Sequence, residues 1–219
     1  MSHDNFVIRS MPEWYQTHAI LRTDCYVLLA ALLTAPPSAA LITLVRNLRW
    51  DDEVTPGMHT AFAALSHAGN ICPMTCISEE FHRLFVGLGS GELVPYGSWY
   101  REKMIQSAPL AAIRSDLAEL GIVRQSGCHE TEDHAGALCE IMALLSLPEN
   151  AIPEDEQALF FDHHVASWMP EFFKDLQAAK DIVFYRAVGE IGCCFLEGEN
   201  TYLHLSKHVC LSNTRTGCN

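Results

Sequence analysis

Positive charge is scarce in this chain of 219 residues: Lys and Arg number 14 against 27 Asp and Glu, a formal net charge of −13. A ligand with a phosphate backbone needs a basic face, so nucleic acid is not an expected partner. An acidic surface suits a basic peptide or protein as well as it suits ordinary solubility. Long apolar runs are also missing. The most apolar stretch, Cys25 to Leu33, has nine residues, half of the roughly 18 that a membrane span needs, so no membrane insertion is expected. Asp24 and Glu13 precede that stretch and no clean small-x-small cleavage site follows, which speaks against a secretory leader. The 9 cysteines are odd in number and irregularly spaced. That excludes a disulfide scaffold and points to free thiols in the cytoplasm. With 49% hydrophobic and 19% charged residues, wholesale disorder is excluded too.

Strand formers are few. Val and Ile total 11 and 12 against 25 Leu and 23 Ala, and the latter pair favours helix. The apolar spacing agrees. Ile20, Leu21, Leu28, Leu29, Leu32 and Leu33 share a face that ends before Pro36-Pro37. Ser38 is placed to cap a second helix, and Thr55-Pro56 to open a third. Ser78 is expected to cap a helix bearing Phe81, Leu84 and Phe85. A long loop follows through Gly87–Gly91 and Pro95-Tyr96-Gly97. Further helices are predicted over Leu110–Leu120 with Gly121 as C-terminal cap, over 132–147, from Pro153 through Trp168, from Pro170, and over 181–196. The fold class is all-α, a compact multi-helix bundle of eight to ten helices. Residues 1–197 form its single domain, and 198–219 a polar, loose C-terminal tail.

The usual signs of catalysis are absent. No Gly-Lys-Ser/Thr follows the glycine-rich stretch, and there is no G-x-S-x-G. Asp162-His163-His164 copies a metal phosphoesterase signature, but within a helical pattern rather than at a strand end. His204 and His208 have the spacing of helical metal ligands without the acid of His-Glu-x-x-His. Cys72 and Cys76 have no second pair at ligand spacing. Glu130, Glu132 and Asp133 before a helix suit its macrodipole and need no function. The chain is therefore not read as an enzyme, and no metal or other cofactor is expected.

What remains is an aromatic surface. The Phe81, Leu84 and Phe85 stripe leads into a segment dense in Pro, Tyr and Trp, as a peptide groove would be lined. Phe81-His82-Arg83-Leu84-Phe85 is similar to the aromatic-x-x-Leu-Phe motif of the TorD/DmsD chaperones, maturation factors of molybdenum-containing redox enzymes. Leu93-Val94-Pro95-Tyr96-Gly97-Ser98-Trp99-Tyr100 resembles that family's Pro-Tyr/Trp-x-Ser-x-Tyr/Trp loop. Glu130-Thr131-Glu132-Asp133-His134 resembles its Glu-Pro-x-Asp-His motif, with Thr131 in place of proline. The segment from His164 to Phe172, containing Trp168 and Pro170, resembles His-Leu-x-x-Trp-x-Pro-x-Phe, with Val165 in place of leucine. Phe184-Tyr185 follows in the same order.

The resemblance implies a cytoplasmic chaperone that binds the twin-arginine signal peptide of an apo-molybdoenzyme, aids cofactor insertion and delays export. The Tat translocase is a further partner it allows. The implied peptide-binding residues are Phe81, Leu84, Phe85, Pro95, Tyr96, Ser98, Trp99, Tyr100, Glu130, Asp133, His134, His164, Trp168 and Pro170. Asp133 and His134 have two readings: one pairs with a leader arginine and the other hydrogen-bonds the peptide, or both fasten the Pro95–Tyr100 loop to the bundle. Two competing functions stand beside the chaperone: a metal-dependent helical hydrolase built on His163 and His164, and a helical adaptor for another protein partner.

Overall fold

A computed structural model describes residues 13–48, 55–86, 91–105, 107–123 and 130–213, with side chains described from 20 to 205 within those ranges. The α-helices, in chain order, are α1 (Glu13–Thr34), α2 (Ala39–Arg46), α3 (Pro56–Ile71), α4 (Met74–Phe81), α5 (Gly97–Glu102), α6 (Ala108–Glu119), α7 (Ala135–Ser146), α8 (Glu154–Phe160), α9 (Met169–Ala178) and α10 (Phe184–Asn213). Among the described residues there is no strand, only one isolated antiparallel bridge, Tyr96 with His134. The all-α reading holds.

The caps explain most boundaries. Ser38 accepts from the Leu41 amide and Thr55 from the Met58 amide, with Pro56 in the first turn. Gly121 closes α6 with φ +70°. Ser78 does not cap a helix: α4 already begins at Met74, just after Pro73, and Ser78 lies inside it. Two turns widen to π geometry, His82–Val86 continuing α4 and Phe161–Ala166 continuing α8. The helix expected from Pro153 through Trp168 is therefore broken, and Trp168 stands just before α9. The expected loop over Pro95–Tyr100 is half helix, since α5 begins at Gly97.

α1 packs along α7, while α10 packs along α9 and α3 and touches α8, α1 and α4. At 30 residues, α10 is about 45 Å long, the axis of the bundle. Its start is fixed from another helix. Buried Glu80 of α4 accepts from the amides of Val183 at 2.8 Å and Tyr185 at 3.0 Å. A carboxylate thus satisfies orphan N–H groups at the positive end of the macrodipole.

The helix predicted to end near residue 196 runs to Asn213, and a loose tail from Gly198 is not what residues 198–205 form. The cause is a buried ion pair that the polar composition of this stretch conceals. Glu199 takes two hydrogen bonds from the Arg22 guanidinium, at 2.6 and 2.7 Å, and a third from Tyr26. Gln157 accepts from the same guanidinium at 3.0 Å. Leu203 is fully buried one turn further on. Residues 214–219 lie outside the described residues. The six cysteines with described side chains are free, and burial raises the Cys25 thiol to about 12. Cys128, Cys210 and Cys218 lie outside that set.

Removing one partner of a buried pair strands the other charge. Arg22→Met should cost about 3–5 kcal/mol in urea unfolding, and Arg22→Met/Glu199→Met should regain most of it. Equal loss in the single and double variants would show that the pair does not anchor α10.

Candidate functional site

The segment from Gly91 to Ile105 crosses the bundle surface and is tied down at both ends of its first half. The π turn after α4 offers its carbonyls to this segment. The Glu92 amide donates to the Arg83 carbonyl at 3.2 Å and the Leu93 amide to the Leu84 carbonyl at 2.9 Å. Further on, the chain pairs with the approach to α7. The Gly97 amide donates to the Asp133 carbonyl, and the Ala135 amide to the Pro95 carbonyl, each at 2.8 Å.

The side chain of Asp133 completes the attachment. Its Oδ2 accepts from the Ser98 amide at 3.1 Å and the Ser98 hydroxyl at 2.5 Å, and its Oδ1 accepts from the Thr131 hydroxyl at 2.5 Å. Asp133 and Ser98 are fully buried. The carboxylate therefore caps α5 from below, and Thr131, where the motif has proline, supplies one of its donors. His134 is the N-cap of α7. Its Nδ1 accepts from the Gly136 amide at 3.1 Å, and its ring meets Tyr96 edge-on at 5.0 Å. The Tyr96 hydroxyl donates to Glu130. Of the two readings of Asp133 and His134, these contacts are those of fasteners.

The remaining motifs meet in one aromatic seam. Phe85 packs on Phe81 at 5.1 Å, Tyr185 at 5.4 Å and Phe172 at 6.4 Å. Tyr100 reaches Phe172 at 6.1 Å and Trp168 at 5.4 Å. Trp168 donates its indole N–H to the His164 carbonyl at 2.7 Å. A Cβ on Gly97 would lie 2.9 Å from that indole nitrogen, so only glycine lets α5 lie this close.

The structure separates the expected binding residues into two groups. Phe81, Leu84, Pro95, Ser98, Asp133, His134, His164 and Trp168 are buried. Phe85, Tyr96, Trp99, Tyr100, Glu130 and Pro170 are half-buried. Only the second group keeps surface for a partner, and Phe85 spends much of its own in the seam. Beside Trp99 and Tyr100 opens a cavity of about 440 Å³, lined also by Glu92, Leu93, Val94, Lys103, Ile105 and Asp175. Tyr100 donates to Asp175 at 2.8 Å, and burial with that carboxylate raises the phenol well above its ordinary value.

Sequence reasoning missed Glu92, Lys103, Asp116 and Asp175. None lies in a motif; Asp116 and Asp175 matter through partners distant in the chain, Glu92 and Lys103 through the turns that place them in the cleft. Asp116 accepts or shares a proton with His164 Nε2 at 2.6 Å, and His163 Nδ1 stands 3.9 Å from the same carboxylate oxygen. Ligand atoms of these three side chains lie within 4.8 Å of one another. A metal on His164 Nε2 would leave a proton on Nδ1 that needs an acceptor, and buried Nδ1 has no partner among the described residues. The Asp116–His164 hydrogen bond accounts for the contact without an ion. His204 stands 3.6 Å from Asp162, while the side chain of His208 lies outside the described residues.

What these features define is an all-helical bundle with a fastened aromatic segment beside an open cleft on an acidic body. The family model for the nitrate reductase delta subunit matches residues 51–174, more than half of the chain, including the whole Gly91–Ile105 segment. The chain belongs to that family, the TorD-like chaperones of molybdoenzyme maturation. No curated protein matches it in sequence. In structure it is similar to a putative redox enzyme maturation protein from Archaeoglobus fulgidus, at 15% identity and a TM-score of 0.53, over 89% of this chain and 99% of that one. That likeness supports the fold.

Two outcomes test the fastening. Asp133→Asn keeps the shape but weakens a charge-assisted cap, so unfolding free energy should fall by about 1–3 kcal/mol. Burial also holds the His134 and His164 imidazoles below the ordinary value of 6.5, against the upward pull of Glu130 and Asp133 on the first and Asp116 on the second. Their folded pKa values lie below the unfolded ones, so the unfolded chain takes up protons first as pH falls. Stability is complete above about pH 6.5 and declines below it toward the folded values. In urea titrations from about pH 7 to about pH 5, the wild type should lose more than His134→Asn, which keeps an N-cap acceptor without the titration. Parallel profiles would remove His134 from the account.

Proposed function

We propose that this chain binds the twin-arginine leader of an apo-molybdoenzyme in the cytoplasm and holds it from export until the cofactor is inserted. The observation that carries the reading is the Gly91–Ile105 segment, which presents Leu93, Val94, Trp99 and Tyr100 along an open cleft on a protein of net charge −13. Family membership supports the maturation role. A twin-arginine leader has a basic part and an apolar part. The acidic body attracts the first over distance, and the cleft's apolar side chains bury part of the second. Release would then pass the client to the Tat translocase. The role needs no bond-making step and no cofactor of the chaperone's own, and the helical bundle acts as one chaperone domain.

In this reading the buried residues are positioning residues. Asp133, Ser98 and His134 hold the segment in place, while Phe81, Leu84, His164 and Trp168 support it from beneath. The peptide meets Trp99, Tyr100, Tyr96 and the exposed edge of Phe85, with Glu130 and Pro170 at the periphery.

Calorimetry with the leader of a molybdoenzyme from the same genome, at two ionic strengths, tests this. Trp99→Ala should weaken binding by a hot-spot amount, about 2 kcal/mol, with little change in Tm because the ring is half-buried. Asp133→Asn should lower Tm and weaken binding while leaving the salt dependence as in the wild type. A reduced salt dependence would put Asp133 in contact with the peptide's charge instead. Absence of wild-type binding to every such leader would reject the proposal.

A further inference from the structure

The cleft beside α5 already contains a cation. Lys103 follows α5 directly, with φ 55° and ψ 25°. That left-handed conformation is costly for a residue with a Cβ, and at a helix end it usually falls to glycine. Here it carries the lysine side chain back over the helix. The ammonium lies 5.9 Å from the centroid of Trp99 and 5.4 Å from that of Tyr100, within cation–π range of both rings.

The same cleft is lined by two carboxylates, Glu92 and Asp175. Glu92 has a loose, exposed ion pair with Arg83 at 3.4 Å, and Asp175 accepts one hydrogen bond, from Tyr100. Each retains lone pairs for a further donor. Two aromatic rings under the ammonium and two acids in the lining of the same cleft suit an organic cation, and the rings already carry one from the chain itself.

We propose that Lys103 is an internal placeholder, and that this cleft receives an arginine side chain of the client peptide when Lys103 swings out. A guanidinium stacks flat on aromatic rings and bonds carboxylates through paired N–H groups, neither of which an ammonium can do. Arginine is therefore the cation with an advantage over the resident lysine. The inference rests on the leader-binding reading and gives the leader's charge a destination other than buried Asp133. The left-handed backbone at Lys103, whose amide caps α5 on the Trp99 carbonyl at 2.8 Å, is also what sets the side chain over the two rings.

The test separates the site from the client. The probe is N-acetyl-argininamide, followed by the Trp99 indole N–H resonance, identified among the 4 tryptophans by its loss in Trp99→Phe. N-acetyl-citrullinamide, of the same shape without the charge, is the control. Argininamide should shift the resonance saturably and citrullinamide should not. Lys103→Met and Lys103→Gly should bind argininamide tighter by about fivefold, as expected for removing a cation–π competitor. Asp175→Asn, which still accepts from Tyr100, should bind it more weakly. No saturable shift in either the wild type or Lys103→Met would overturn the inference, as would unchanged or weaker binding in both Lys103 variants. The leader peptide, measured on the same variants, gives the second readout. If argininamide behaves as expected and the leader does not bind, the leader reading fails and the cation site stands. If the leader binds with an affinity indifferent to Lys103 and Asp175 while argininamide is silent, the site fails and the leader reading stands.

Discussion

The Asp133 carboxylate is the contact on which the surface depends. It is fully buried and its oxygens receive an amide and two hydroxyls. A buried carboxylate without such donors would cost several kcal/mol, on the order expected for an isolated charge in a poorly polarisable interior. With them it joins three pieces of chain: the Gly91–Ile105 segment through Ser98, the turn before α7 through Thr131, and α7 through the adjacent His134 cap. A mobile surface loses more entropy on binding than a fastened one. Fastening from beneath gives Trp99 and Tyr100 fixed places while leaving their outer faces open.

Both π turns serve the same surface. A π turn re-aims the residues after it. In His82–Val86 the Arg83 and Leu84 carbonyls accept from the Glu92 and Leu93 amides, so the irregularity after α4 is also the hook for the segment. In Phe161–Ala166 the turn carries His164, whose carbonyl receives the Trp168 indole and whose ring is held by Asp116. Trp168 then presses on Gly97 and Tyr100. The motifs are spread over a hundred residues because each supplies one support of a single short segment.

The fold class, most helix positions and several caps were legible in the sequence, because they depend on local matters: apolar spacing, Ser38, Thr55-Pro56 and Gly121. The motif residues were legible as a set, and they do gather. Their division into supports and open faces was not, since burial depends on where distant helices land. Asp133 reads equally as an available anion and as a fastener until Ser98 and Thr131 are beside it. Lys103 reads as one surface lysine among 14 basic residues until its left-handed backbone and its two rings are seen together. The extent of α10 was misread for the same reason. Gly198, Glu199 and Asn200 look like the end of a helix, and only Arg22, 177 residues away, makes Glu199 a buried member of one.

These long-range charges also explain how so acidic a chain stays compact. Acids that would repel at the surface are placed inside against fixed donors: Glu199 on Arg22, Glu80 on the first amides of α10, Asp133 on the start of α5. Each joins elements far apart in sequence and satisfies groups that would otherwise be orphaned. The acids left outside repel one another, a modest destabilisation that also gives the surface a negative field. Interior carboxylates thus set the shape and exterior ones set the field. The cleft at α5 is where the two roles meet, with Asp175 bonded to Tyr100 on one side and open on the other.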